Sequence, residues 1–483
     1  MASNSRHELP KAGLSEESIL NSLNKYKETD ADWRTGKVFG YVFHVDEAAE
    51  RVIEKAHNQF MWDNALDPRV FQSLLRMEKE VVQMVSQHLQ GDEEVVGNMT
   101  SGGTESILLA VKSARDFALA KGKDPAKLNM ILPITAHAAF HKACEYFCVK
   151  AQTVDIDPDT LTPDPKDYEK LINKNTFFMM GSAPSYAHGV IDPIEELSEL
   201  AFKHDIKFHV DACVGGWLLP FFRKAGKNVP PFDFSLRGVT SISVDLHKYA
   251  FAAKGASVLL HRSKETRMHQ IFTCTSWTGY AMINPTMLST KSGGPIAGAW
   301  AALHHFGEEG YLKVAKGLVE STDKLINGIN SIDGLSVMGT PGMSLLAFSS
   351  KKLNLFRITD ELTIRGWDVQ PQHHRGSAKP SIHLTVMPTS APQVDAFIKD
   401  LTEVSALVSK EKSLLKKVAM KSILSVVPKD LSYKNIEMVL KKFGVGEGNL
   451  PDGGMSDINM ALNEIDPKKA DKLFKVYANE LYR

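Results

Sequence analysis

Three side chains suited to covalent and proton chemistry stand where strand patterns stop: His137, Asp211 and Lys248. Lys248 follows Asp245 and His247 after the β-branched run from Ser241 to Val244. Asp211 closes the alternating run Ile206, Phe208, Val210. His137 follows the apolar run that begins at Ile131, just before a helical pattern through Phe140, Cys144 and Phe147. A lysine so placed can form a Schiff base with a carbonyl, an aspartate can keep a ring nitrogen protonated, and a histidine can lie over a ring face. Upstream, Thr100-Ser101-Gly102-Gly103-Thr104-Glu105-Ser106 opens a helical pattern carrying Ile107, Val111, Ala114 and Ala118 on one face. A glycine-rich turn feeding a helix N-terminus offers free N–H groups and a positive dipole end, which suits a phosphate. The run lacks the lysine and glycine spacing of a Walker A loop or a dinucleotide fingerprint. Taken singly, these residues have plainer accounts: a surface lysine, a helix-capping aspartate, a satisfied histidine, an ordinary helix start. Together and in this order they describe the electron-sink arrangement of a pyridoxal phosphate site.

Elements of an α/β domain must position them. From about 98 to 261, short β-branched runs alternate with helical patterns, the signature of βαβ units around a mostly parallel sheet, in which ligands bind outside the carboxyl ends of strands. Asp192-Pro193 opens a helix whose Ile194, Leu197, Leu200 and Ala201 form one stripe. Phe177 to Met180 ends in Gly181-Ser182, where a small hydroxyl can face a ligand. Ala256 to Leu260 reads as a return strand. The expected organisation is an N-terminal wrapping segment over 1–95, a large cofactor domain over 96–311, and a smaller C-terminal α/β domain with a helical tail over 312–483. The tail carries a basic amphipathic stretch, 410–421, and a glycine- and proline-rich loop, 444–454.

Composition removes several other functions. The 483 residues carry 57 Lys+Arg and 57 Asp+Glu, a net charge of zero without the basic field of a nucleic-acid binder. Four cysteines are too few for a disulfide framework, and the N-terminus lacks a secretory h-region, so a reducing, cytoplasmic setting is expected. Cys144 and Cys148 lack two further ligands at zinc spacing, and no metal site is expected. The longest strongly apolar stretch, 212–222, falls short of the ~20 residues of a membrane span.

The segments NMTSGGTESILLAVKSARD, TAHAAFHKA, GSAPSYAHGVIDPIEEL, HVDACVGGWLLPF, FDFSLRGVTSISVDLHKYAFAAKGASV, NPTMLSTKSGGPIAGAWAALHHFGEEGY and SIH resemble, in the same order, those of sphingosine-1-phosphate lyases, a branch of the pyridoxal phosphate decarboxylase group. The resemblance spans about 36 to 311 and, more weakly, reaches 383. It implies a fold-type I enzyme, dimeric, with each site at the subunit interface. It further implies Lys248 as the Schiff-base lysine, Asp211 as partner of the pyridine nitrogen and His137 as the stacking residue. Gly102, Gly103, Thr104 and His247 would contact the cofactor phosphate and Ser182 the ring hydroxyl. Lys254 and Ser292-Gly293-Gly294 would face phosphate groups, and Tyr186 and Tyr249 are candidates to assist proton transfer. The implied reaction is retro-aldol cleavage of a phosphorylated β-hydroxy amine to an aldehyde and phosphoethanolamine.

The chain departs from that pattern on the substrate side. Gly-Ala-Val-Tyr appears as Gly40-Tyr41-Val42-Phe43, Asn-Pro-Leu-His as Asn64-Ala65-Leu66-Asp67, and Ser-Arg-Pro-Gly as Thr290-Lys291-Ser292-Gly293. With Tyr41, Asn64 and Asp67 taken as substrate residues, Asp67 should repel a phosphate and Phe43 should forfeit a hydrogen bond, weakening cleavage of sphingosine 1-phosphate. The alternative reaction is decarboxylation of an amino acid, for which Arg365 or Arg375 would receive the carboxylate. A second alternative is a non-catalytic member of the fold, which would have no chemical need of Lys248 and Asp211.

Overall fold

The computed structural model describes residues 7–411 and 455–481. The loop 444–454 and nearly all of the basic stretch 410–421 lie outside the described residues. Three helices come before the large sheet: α1 (Glu16–Lys27), α2 (Glu47–Gln59) and α3 (Gln72–His88). Ser15 caps α1 and Asp46 caps α2, each side chain accepting an N–H of the first turn. α2 and α3 bury apolar stripes, including Ile53, Leu74, Val81 and Val85, whereas α1 buries no side chain.

The large domain runs β1 (Val96–Thr100), α4 (Gly103–Ala120), β2 (Asn129–Pro133), α5 (Ala138–Phe147), β3 (Lys150–Val154), α6 (Pro165–Leu171), β4 (Thr176–Ser182), α7 (Ile194–Lys203), β5 (Lys207–Asp211), α8 (Leu219–Lys224), β6 (Val239–Val244) and β7 (Ser257–His261). Its strands lie in the order β1-β7-β6-β5-β4-β2-β3. All neighbouring pairs are parallel except those of β7, which runs antiparallel to β1 and β6 as a return strand should. Strands covered by helices on both faces read as unbroken apolar runs. β2 and β4 are buried along their whole lengths. The predicted stripe of α4 packs on Met130, Leu132, Phe178 and Met180, and that of α7 joins Phe208 and Val210. Register sets Ser182 beside Asp211 and Asp211 beside Ser243, so three strand ends meet at one edge.

α9 (Lys264–Met268) and the hairpin of β8 (Phe272–Cys274) and β9 (Met282–Asn284) lead into α10 (Gly293–Asn330), which kinks at Gly307, a glycine with φ near +55°. The boundary expected at 311 falls inside α10, which packs on α2, α3 and α8 and also reaches β10 and α12. β10 (Leu335–Val337), β11 (Leu345–Ser350), α11 (Leu355–Ile364), β12 (Gln370–Gln372), β13 (Ser381–Thr385) and α12 (Val394–Ser409) make the smaller unit, an antiparallel sheet of order β10-β11-β13-β12. α13 (Met455–Glu464) packs on α11, and α14 (Pro467–Leu481) follows it. Among the described residues no helix is long and apolar enough to cross a membrane.

Phe178, fully buried in the middle of β4, lies under both α4 and α5. Phe178→Ala should destabilise the large domain by about 3–5 kcal/mol, read from denaturant unfolding.

Candidate active site

The site forms where β4, β5 and β6 end. Asp211 closes β5, buried, and its Oδ1 accepts the Cys213 N–H at 3.1 Å. On one side Ser182 closes β4, its N–H donating to Asp192 Oδ2 at 2.7 Å. Burial, with Asp211 nearby, pushes Asp192 up to about 7. On the other side β6 runs into Asp245 and the chain turns once, the Lys248 N–H donating to the Asp245 carbonyl. That turn carries the Lys248 ammonium back over its own strand end, Nζ 2.9 Å from Asp245 Oδ2. Burial alone would favour the neutral amine, but Asp245 outweighs it and holds Lys248 above the usual lysine range. Burial likewise works to raise Asp245, yet Lys248 and His247 keep its carboxyl low. The His247 N–H donates to the Ala256 carbonyl, and the Ala256 N–H donates back to His247 Nδ1, which pins the imidazole. Burial lowers its imidazole, with Asp245 pulling the other way.

Above this pair sits the start of α4. A Cβ on Gly103 would stand 2.6 Å from Asp245 Oδ2 and 2.9 Å from Cys213 Sγ, so only glycine brings the helix this close. No side chain caps α4. Glu105 turns away from its first N–H groups, accepting the Ser101 N–H and hydroxyl through Oε2 and the Met287 N–H through Oε1. Across from it, His137 caps α5 by accepting the Ala139 N–H at Nδ1. Ser101, Gly102, Gly103, Thr104, His137, Ser182, Tyr186, Asp211, Cys213, Asp245, His247 and Lys248 line one cavity of about 400 Å³, within the range of about 300–1,000 Å³ usual for ligand pockets. An uncapped helix start, a buried carboxylate, an amine and a ring-facing imidazole in one cavity fit pyridoxal phosphate: a phosphate on α4, a ring nitrogen at Asp211, an aldehyde at Lys248.

The remaining expected residues stand elsewhere, and several expectations need correction. Tyr249 does not face the cavity. It is fully buried, its hydroxyl donating to the Val386 carbonyl and accepting from Ser344 Oγ, so it ties the domains together. Asp67 is bound by Arg69 through both oxygens and pulled down to about 2, which leaves it engaged and outside the cavity. Asn64 Oδ1 accepts the N–H groups of Leu66 and Lys291 and so holds a chain crossing. The Gly293 N–H donates to the Asp63 carbonyl, Ser292 bridges to Asn64, and a Cβ on Gly293 or Gly294 would strike Phe60 or His57; these residues serve close helix packing. The Lys291 ammonium pairs with Glu78 at 2.6 Å. Phe43 packs edge-on against Tyr249 beneath the Lys254 ammonium. Tyr41 is exposed, with φ near +64°, and its carbonyl accepts from Lys254 Nζ at 2.7 Å. Lys254 stands at the rim, 3.4 Å from the His247 carbonyl, and desolvation together with the Lys248 charge brings it down to about 8. Arg365 pairs with Glu361 on α11, and Arg375 is exposed on the His374 carbonyl.

The sequence places Asp245 at a strand end without assigning it a role, although a carboxylate three residues before a strand-end lysine has the spacing of one turn. It does not single out Gln370, which accepts the Tyr186 hydroxyl at 2.6 Å. Gln370 comes from the small sheet, and no local pattern marks it.

The family profile described as the pyridoxal-dependent decarboxylase conserved domain matches residues 45–351. The chain is 43% identical over 404 residues to a sphingosine-1-phosphate lyase of Arabidopsis thaliana, covering 82% of this chain and 73% of that one. It is 31% identical over 396 residues to an L-aspartate/L-glutamate decarboxylase of Pyrococcus horikoshii, covering 82% and 99%. The solved sphingosine-1-phosphate lyase of Burkholderia pseudomallei superimposes with a TM-score of 0.80 at 33% identity, over 88% of this chain and 98% of that one.

Because Asp245 is what holds Lys248 above the ordinary range, Asp245→Asn should let burial dominate and lower the lysine. An amine-reactive reagent should then label Lys248 at lower pH than in the wild type, as read by peptide mapping across a pH series.

Proposed function

This chain belongs to the pyridoxal-dependent decarboxylase family, in its sphingosine-1-phosphate lyase branch, and from that premise we propose that it cleaves a phosphorylated sphingoid-base-like β-hydroxy amine to a long-chain aldehyde and phosphoethanolamine, a step of sphingolipid metabolism. The observation that carries this reading is the meeting of Lys248, Asp211 and the uncapped start of α4 in one cavity. When bound, pyridoxal phosphate supplies a protonated ring that accepts the electrons of a bond broken at the amine-bearing carbon.

The chain's own residues do the rest. Asp211, backed by the Cys213 N–H, holds the proton at the ring nitrogen. The free N–H groups of α4 bind the phosphate, with Gly103 allowing the approach. His137 orients the ring by its face. Asp245 keeps Lys248 protonated, so the ammonium would have to give up a proton and its ion pair before it could hold the cofactor. Once substrate displaces it, Lys248 can take the β-hydroxyl proton or return one to carbon. Lys254, with its proton exchangeable near neutral pH, gives the rim a positive charge for a distal phosphate.

The proposal includes a homodimer. Supporting it, α1 exposes Ile19, Leu20 and Leu23, and the loops near the cavity expose Trp62, Trp277 and Leu288, apolar surface that a second copy would cover. A cytoplasmic setting, also part of the reading, is supported by the four free thiols.

Borohydride reduction of the holoenzyme should fix the cofactor on Lys248, and a phosphorylated β-hydroxy amine should release aldehyde. Carbon dioxide from an amino acid, with no aldehyde from any amine tested, would transfer the assignment to decarboxylation. Asp211→Ala should keep the unfolding transition and lose turnover by about a hundredfold or more, the scale of removing one group that stabilises charge in the transition state. Sedimentation should give a dimer that Trp62→Glu weakens.

A further inference from the structure

β12 is an outer strand of the small sheet, and its register with β13 puts Gln370 opposite His383. Cross-strand partners carry their side chains together, about 4.5–5.5 Å apart at Cβ. This one position grips Tyr186 of the large domain from two directions. The Tyr186 ring lies against the His383 ring at 4.5 Å between centroids, and its hydroxyl donates to Gln370 Oε1 at 2.6 Å. His383 is an immobile support: fully buried, with Nε2 on Thr385 Oγ1 at 2.8 Å and Nδ1 on the Ala187 carbonyl at 3.3 Å. Tyr186 in turn lines the cavity together with Lys248 and His137.

A phenol has one proton to donate. With that proton on the Gln370 carboxamide, the Tyr186 oxygen has only lone pairs left to offer a substrate in the cavity that Tyr186 lines. We infer that Gln370 is a positioning residue that fixes Tyr186 as a hydrogen-bond acceptor toward the substrate, favouring amines that carry a donor, such as a hydroxyl, at that point. The inference rests on the proposed reading of the cavity as a lyase site. A group on the large domain thus takes its polarity from the small one, and closure of the two domains becomes a condition for a correctly set site.

The test uses Gln370→Leu, which removes the acceptor, and Gln370→Glu, which keeps it, each in the wild-type and Tyr186→Phe backgrounds. For holoenzyme acting on a phosphorylated β-hydroxy amine, Gln370→Leu should lower kcat/KM about tenfold and Gln370→Glu by no more than about threefold, the scale of one hydrogen bond lost or kept. In the Tyr186→Phe background Gln370→Leu should be silent. An equal loss in both backgrounds would reduce Gln370 to a structural role and overturn the inference. In the apo protein, the tyrosinate signal assigned by difference from Tyr186→Phe should move to higher pH in Gln370→Glu and to lower pH in Gln370→Leu, because an acceptor stabilises the protonated phenol. A Tyr186 titration that ignores both substitutions would also overturn it. Absence of aldehyde from the wild type would instead sink the lyase reading and leave the titration to decide the role of Gln370.

Discussion

The buried ion pair between Lys248 and Asp245 is the constraint around which the large domain is arranged. Asp245 is buried at the end of β6, and the Lys248 ammonium that pairs with it also reaches the cavity, so removing the lysine would strand a buried carboxylate. The surroundings conform to it. Gly103 cannot carry a side chain, because its Cβ would enter the Asp245 carboxylate. β6 must stop and turn once, since a strand would point a residue three positions on away from Asp245. His247 is tied by two bonds to Ala256, which fixes the approach to β7 and with it the antiparallel edge of the sheet. Asp245 Oδ1, buried near Gly103, has no hydrogen-bond partner among the described residues, so the carboxylate depends on Lys248 for its pairing.

The pair also orders the other charges. Asp192, Asp211 and Asp245 are all buried at neighbouring strand ends, and three carboxylates cannot all stay ionised beside one ammonium without large cost. Asp192 gives way: it lies behind Ser182, reaches about 7, and takes the proton first as pH falls toward neutrality. Asp245 is held low by Lys248, which leaves it charged. Asp211 keeps the open side, with a main-chain N–H behind it and the cavity in front. Its position therefore suits a cationic ring nitrogen, since a cation there offsets the negative charge that Lys248 alone does not cancel.

Legibility in the sequence followed how local each signal was. The strands ending at Asp211 and before Lys248, the return strand and the stripes of α4 and α7 could be read because strand and helix periods fall within single segments. Lys248, Asp211, His137, Ser182 and the glycine turn converge because strand ends in a parallel sheet share one edge. Less legible were the contacts of residues whose partners are distant or unexpected. Asp67 looked like a charge free to meet a ligand, yet its partner Arg69 is two residues away and binds it through both oxygens. Gly293 and Gly294 looked like a phosphate loop, yet they are small because α10 crosses the helix α2 closely. Tyr249, next to Lys248, points the other way into the domain junction, as the residue beside a site residue in a tight turn often must. Gln370 was invisible because its role exists only once the two sheets are set side by side.

The fold does not choose which bond breaks, since one scaffold and one electron sink serve both decarboxylation and carbon–carbon cleavage. Placement of charge beside Lys248 does. An α-carboxylate would sit next to the amine-bearing carbon, within reach of Asp211 and Asp245. Two like charges ~4 Å apart repel by about 4 kcal/mol at the effective dielectric near a protein surface. A decarboxylase must offset this with a cation next to Lys248, and among the described residues the arginines of the small domain are engaged elsewhere, Arg357 on Glu361 and Glu411, Arg365 on Glu361 and Arg375 on the His374 carbonyl. A positive charge lies instead on Lys254, whose ammonium donates to the Tyr41 and His247 carbonyls. A neutral β-hydroxyl beside the reacting carbon and an anion at the far end of the molecule match that field, and a carboxylate at the reacting carbon opposes it.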